Sequence, residues 1–295
     1  MKRSLIVLAM TLATMGGAIA QQEEIKWSQT LNIPKGQTIF RDRADILGIE
    51  FGDTYAEAKA KLQKLSAEGV QKKGPSADLG ERMIEQMDGQ DRRPPLREER
   101  TLFRVNVPGA STVITASYVG KLILNRQLPG ARPITETIQV YLSSPASGQQ
   151  VTGMERLISY PTDADQPRVS EFIGQMEAKL KAKPQVFPRS DGAEYRFQFN
   201  DGQPFVPAVR STNSCSAHLV VGEAHSVRNV NSTGDCDVVM QVQVNFGISR
   251  DHARSIAFYF GDNERAKANA AADFAFISDY IRGLQGRTRG TPPKL

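Results

Sequence analysis

The residues of this 295-residue chain whose types and spacing most directly suggest chemistry are Cys215, His218, His225 and Cys236. Two thiolates and two imidazoles can close a tetrahedral zinc site. The spacing, Cys-x2-His-x6-His-x10-Cys, matches no standard finger, and the seven positions between the histidines span strand-like and turn-like sequence, which gives them no common face. The chain has only these two cysteines, and in an exported chain such a pair is most simply a disulfide. The loop it closes would be worth about 3 kcal/mol in the chain-entropy model. The expectation is therefore a Cys215–Cys236 disulfide, with metal binding through His218 and His225, or free thiols, as the alternatives.

The third histidine, His252, sits in Ser249-Arg250-Asp251-His252. An aspartate beside a histidine orients an imidazole only where folding brings the two side chains together, and neighbours on a strand point apart. The chain contains no Gly-x-Ser-x-Gly elbow and no thiol-protease signature. It also lacks the glycine-rich patterns that cradle phosphates. The acidic pairs Glu98-Glu99, Asp163/Asp165 and Asp235/Asp237 could serve as glycosidase acids or calcium ligands, but the EF-hand pattern is absent and solvated turn charges explain them. Asn231-Ser232-Thr233 is a formal glycosylation sequon that marks a surface turn. This reading assigns no catalytic residue and no cofactor. One aromatic stripe remains: Tyr195, Phe197 and Phe199 alternate before the breaker-rich Asp201–Pro207. Burial in a core is the ordinary fate of such a stripe, and a binding face is the alternative.

Lys2 and Arg3 precede an apolar run from Leu5 to Ala13, and Ala18-Ile19-Ala20 offers small residues at a cleavage site. This is the pattern of a secretory signal peptide cut after Ala20. The run is shorter than the ~20 residues that cross a bilayer. Removing it takes two of the 37 basic residues and none of the 32 acidic ones, so the mature chain carries +3. That weak balance, with no basic cluster on one face, argues against a nucleic-acid partner. No later stretch is apolar enough to span a membrane, so the expected location is periplasmic or secreted.

The elements that would position any site begin at Ile46–Leu65. Ile46 to Phe51 alternate as in a strand, Gly52-Asp53 breaks it, and Thr54 with Glu57 forms a capping box. Tyr55, Ala58, Leu62 and Leu65 then share one face of a helix. Strands are predicted at 103–107, 113–119, 135–142 and 151–160, with short turns that imply an antiparallel meander. A second helix follows Pro167, with Val169, Phe172, Ile173, Met176 and Leu180 in register. Further strands are read at 195–199, 217–221, 238–246 and 255–260. A closing helix over 263–284 would bury Phe274, Ile277, Ile281 and Leu284, with Phe276 and Tyr280 beside them. The expected fold class is α+β: two tandem halves, each an antiparallel sheet with a packed helix, plus the C-terminal helix. The organisation is signal peptide 1–20, lead-in 21–45, and a first half 46–148 with a flexible insert 66–99 that holds a marginal helix over 76–87. A second half 149–284 with the disulfide and a disordered tail 285–295 complete it.

The passage Ile49-Glu50-Phe51-Gly52-Asp53-Thr54, running into an Ala/Leu helix, resembles the strand, Gly-Met-Ser/Thr turn and helix of small α+β repeat modules in exported bacterial proteins. These include β-lactamase inhibitory protein and the small lipoprotein of the outer-membrane assembly machine. It is similar, too, to uncharacterised periplasmic proteins of alphaproteobacteria that pair this passage with a later two-cysteine region. Asp53 stands where methionine is usual, and no glycine occupies the turn just before the second helix. The resemblance implies a module for binding or scaffolding in the cell envelope, its partner another envelope protein or a polysaccharide. A hydrolase acting on polysaccharide or peptidoglycan, and a metal-binding module, are the alternatives.

Overall fold

Thr54 and Glu57 do what their spacing dictates. The Thr54 N–H donates to the Glu57 carboxylate at 2.8 Å and the Glu57 N–H to the Thr54 hydroxyl at 3.4 Å. The helix they start, α1 (Tyr55–Gly69), buries Ala58 and Leu62 completely and packs Tyr55 and Leu65 against the same core. The computed structural model describes residues 22–32, 45–69, 95–106, 113–205 and 236–288. The remaining elements are β1 (Gln22–Glu24), β2 (Asp45–Ile46), β3 (Ile49–Glu50), β4 (Leu96–Asn106), β5 (Val113–Leu128), β6 (Ile134–Leu142) and β7 (Val151–Ser159). After α2 (Val169–Leu180) come β8 (Gln185–Pro188), β9 (Gly192–Asn200), β10 (Gln203–Pro204), β11 (Val238–Phe246), β12 (Ala253–Asp262) and α3 (Asn263–Thr288).

The strand read over 46–51 is instead a two-by-two hairpin of β2 and β3. Leu47 and Gly48 both take positive φ at its tip, 52° and 82°, and the Asp45 carboxylate accepts from the Gly48 N–H. Positive φ at both central residues is the turn that suits a tight hairpin, and it interrupts the alternation.

Among the described residues ten strands form one sheet, and the two tandem sheets expected from the sequence are not separate. β4, β5, β6 and β7 make the predicted antiparallel meander. β9, β11 and β12 make a second antiparallel set, and β12 pairs with β7 from Ser255↔Ser159 to Gly261↔Gly153. Joining the sets along β7 and β12 leaves neither with an open edge there. β8 and β10 both lie on β9. The described part of the lead-in, residues 22–32, is a packed arm: β1 pairs in parallel with β5, and Trp27 stacks on Phe276 at 5.1 Å. The insert is shorter than predicted, because α1 continues to Gly69 and β4 already begins at Leu96. The helix over 76–87, the strand over 217–221 and residues 289–295 lie outside the described residues.

α2 follows its reading closely. Val169, Ile173 and Leu180 are buried, and Phe172 and Met176 pack beside them. No side chain of its own caps it. Asp251, from the β11–β12 turn, accepts from the Ser170 N–H at 3.1 Å.

α3 departs from its prediction at Phe274, which is 62% exposed. The inward stripe begins polar, with Arg265 and Asn269 buried and Asp273 half-buried at four-residue steps, and turns apolar at the partly buried Phe276, Ile277, Tyr280 and Ile281 and the buried Leu284. The polar part lies over the 3-10 turn Pro145–Ser147, where the Ser144 and Ser147 hydroxyls donate to the Asp273 carboxylate. Burial pushes the Asp273 carboxyl up to about 6, against the lowering by the two hydroxyls. The folded value thus stands above 3.8, so protonation favours the folded state. This group costs nothing below about pH 4 and costs up to about 3 kcal/mol once pH has risen through about 6. Asp273→Asn is expected to flatten stability between about pH 4 and 7, measured by urea unfolding at each pH, and to raise it near neutrality by about 1–2 kcal/mol.

Candidate functional site

Strand pairing sorts the sheet's side chains into two faces, because alternate residues point to opposite sides. Both α1 and α2 pack on one of them. Leu122, Leu124, Ile138, Val140, Met154, Phe260, Met240 and Phe197 form a layer beneath these helices. Phe197 and Phe199 are each 1% exposed, and Tyr195 packs between the two core clusters. The aromatic stripe of β9 is therefore core, and the binding-face alternative for Tyr195, Phe197 and Phe199 gives way to it.

The intervening residues make an outer face that no hydrophobic cluster joins to a helix among the described residues. One row across it, set by the register, reads Phe187, Glu194, Gln243, Ala257, Leu157, Thr137 and Asn125. The next reads Arg196, Gln241, Tyr259, Glu155, Gln139 and Ile123. Amides and hydroxyls are the commonest side chains in these rows, Tyr259 among them, and no lysine occurs in either. The side chains hold one another across strands: Asn245 donates to Ser255 at 2.9 Å, Thr137 to Asn125 at 2.9 Å and Tyr141 to Glu155 at 3.1 Å. Arg196 donates to Glu194 at 3.1 Å and lies over the Phe187 ring at 4.9 Å. Burial, and then the Glu155 charge, raise the hydroxyls of both Tyr141 and Tyr259, so they remain neutral donors. Two apolar side chains stand out of this polar ground, Leu157 at 40% exposure and Phe187 at 42%. Leu157 belongs to β7, an interior strand. Four strand spacings separate the two, roughly 19 Å.

The acidic pairs meet turn or ion-pair partners rather than each other. Glu98 accepts from Tyr55 at 2.6 Å and pairs with Lys59 at 2.8 Å, while Glu99 pairs with Lys121 at 2.6 Å. Asp163 accepts from the Gln166 amide, and Asp165 from Thr162 and the Ala131 N–H. The Lys59 hydrogen bond holds the Glu98 carboxyl below its ordinary range, and the Thr162 hydroxyl does the same for Asp165. A general acid needs the opposite shift. Asp237 accepts from the Asp201 N–H at 2.7 Å; Asp235 lies outside the described residues.

Ser249 and His252 do meet, Oγ to Nδ1 at 2.7 Å, but as residues of one exposed turn in which the Ser249 Oγ also accepts from the Asp251 N–H. The Asp251 carboxylate is committed to Ser170 at the α2 terminus, and that hydrogen bond lowers it. The three residues build the hairpin that holds α2.

Cys236 is 1% exposed, and the Asn263 amide donates to its carbonyl at 3.2 Å. Cys215, His218 and His225 lie outside the described residues. Among the described residues no group of three His, Cys, Asp or Glu side chains is placed to hold a metal ion. No helix among them is long and apolar enough to cross a membrane. Comparison of the chain with protein-family models, with curated proteins and with solved structures returns no match.

Proposed function

We propose that this chain is a non-catalytic binding protein of the periplasm or the extracellular space, and that it takes its partner on the outer face of the sheet. The observation that carries the reading is Leu157, a large apolar side chain 40% exposed on an interior strand, set in a field of neutral hydrogen-bonding groups. Interfaces favour tyrosine and disfavour lysine at their centre, and this face has that composition. Cross-strand hydrogen bonds already fix Asn245, Ser255, Thr137, Asn125 and Tyr141, which lowers the ordering cost of binding. Glu155, which accepts from Tyr141 and has no ion pair among the described residues, puts a negative charge at its middle, so a partner that places a cation there and an apolar group on Leu157 is matched. An envelope protein is the partner we favour, ahead of a polysaccharide. The amino-terminal Lys2-Arg3 and apolar pattern supports export, and an oxidising compartment supports a Cys215–Cys236 disulfide.

The test is site-specific photo-crosslinking in the producing cell. A photo-reactive residue in place of Leu157 or Gln243 is expected to give one discrete adduct that the same residue at Phe274, an exposed position on α3, does not. Leu157→Arg should weaken capture by about tenfold or more while leaving the melting temperature in place. Equal adducts at Phe274, or turnover of peptidoglycan by the purified chain, would overturn the reading.

A further inference from the structure

A cleft of about 260 Å³ opens on the other side of the molecule, between the β2–β3 hairpin, α2 and the helix-covered face of the sheet. Ile46, Met176, Leu180, Phe258 and Phe260 give it apolar walls, and Arg156, Lys179 and Asp45 are its charged groups. We propose that this cleft binds a small organic anion, a carboxylate carried on a compact aromatic or branched apolar body.

Size fixes the body. The volume falls below the ~300 Å³ at which pockets for drug-sized ligands begin, so the occupant is about a single ring with a short arm. Charge fixes the head. Arg156 uses Nε and Nη2 on Glu136, at 2.7 and 2.5 Å, and its guanidinium lies 5.8 Å from the centre of the Phe258 ring at the cleft wall. Among the described residues its Nη1 makes no hydrogen bond, and the side chain is 23% exposed, so two N–H donors remain for a ligand on an arginine already held in place. Lys179 stands at the rim, paired with Asp45 on the hairpin. Counting Arg126, which shares Glu136, three cations face two carboxylates and leave one positive charge for an incoming anion. A guanidinium with free donors beside an aromatic wall suits a planar carboxylate on a ring, whereas an ammonium ligand would meet two cations. Opposite the outer face, this site does not depend on the partner proposed above.

The probe is phenylacetate, titrated into the full chain and followed by the methyl carbon-13 NMR signals of Met176, Ile46 and Leu180. Saturable shifts are expected with a dissociation constant on the order of 1 mM or tighter, the range open to a ligand of this size. Phenylacetamide should bind more weakly by about fivefold or more, and phenethylamine still more weakly. Met176→Phe, which fills the cleft, should abolish the shifts. Lys179→Gln, at an exposed position, should weaken phenylacetate by about threefold. Arg156 itself is left alone because it also neutralises a buried carboxylate. Absent shifts, equal affinity for the amide or amine, or binding that survives Met176→Phe would each overturn the proposal.

Discussion

Replacing Glu136 with alanine is expected to lower stability by about 3–5 kcal/mol, the cost of leaving buried charge uncompensated. Glu136 lies on β6 under α1 and α2 and is 1% exposed. It is clamped between Arg126 of β5 and Arg156 of β7, whose side chains are 10% and 23% exposed. Arg126 also donates to the Leu65 carbonyl at 3.0 Å, so the cluster ties the sheet to the end of α1. Without the carboxylate, the two guanidiniums lose their shared counter-charge, and Arg126 keeps only its bond to the Leu65 carbonyl among the described residues. The penalty belongs to the broken cluster, not to an intrinsic value of the ion pairs. Exchanging all three residues for apolar ones of similar size should therefore recover most of the loss. Glu68→Ala provides the scale: its pair with Lys64, 4.0 Å apart and largely in water, should be worth under about 0.5 kcal/mol. Urea unfolding at constant m-value separates these cases, and a Glu136→Ala loss below about 1 kcal/mol would refute the argument.

That cluster also shows what sequence can carry. The Thr54–Glu57 box and the apolar face of α2 were legible because each is closed within a dozen residues. The carboxylate clamp joins three strands, so no local window contains it. Its trace was there: Glu136 interrupts the alternation of Ile134, Ile138 and Val140, and Arg126 and Arg156 sit in phase with Leu122-Leu124 and Met154-Ile158. A charge in register with a buried face calls for a partner in register on the next strand. The same blindness explains α3. Hydrophobic periodicity locates its apolar half but cannot see that Arg265, Asn269 and Asp273 continue the inward stripe, so it places Phe274 inside. The outer face escaped because amides and hydroxyls in alternate positions read simply as solvent-facing. The joining of β7 to β12 escaped because either could as well have been an edge.

Gly52→Ala and Arg265→Met are expected to be strongly destabilising singly and clearly less than additive together. Gly52 has φ +80°, where an L residue costs about 1–2 kcal/mol. A Cβ there would also lie 2.9 Å from the Arg265 Nη2. Arg265 cannot easily withdraw. It is 2% exposed, its Nη1 donates to Gln150 at 2.6 Å, and its backbone N–H and Nε both donate to Asp262, which is fully buried. The turn it presses on is equally constrained, since the Gly52 N–H donates to the Val151 carbonyl at 2.9 Å and the Val151 N–H to the Asp53 carbonyl at 2.8 Å. Three elements, the lead into α1, the start of β7 and the start of α3, therefore meet at one guanidinium. Arg265→Met removes the counter-charge of Asp262 and should cost about 3–5 kcal/mol. Gly52→Ala should cost about 2–3 kcal/mol, its backbone strain plus the crowding. In the double variant the crowding is gone and only the backbone strain remains, so the two should couple favourably by about 1 kcal/mol. A fully additive cycle would mean that the glycine is required by its φ alone, and that the arginine holds α3 without sensing the turn beneath it.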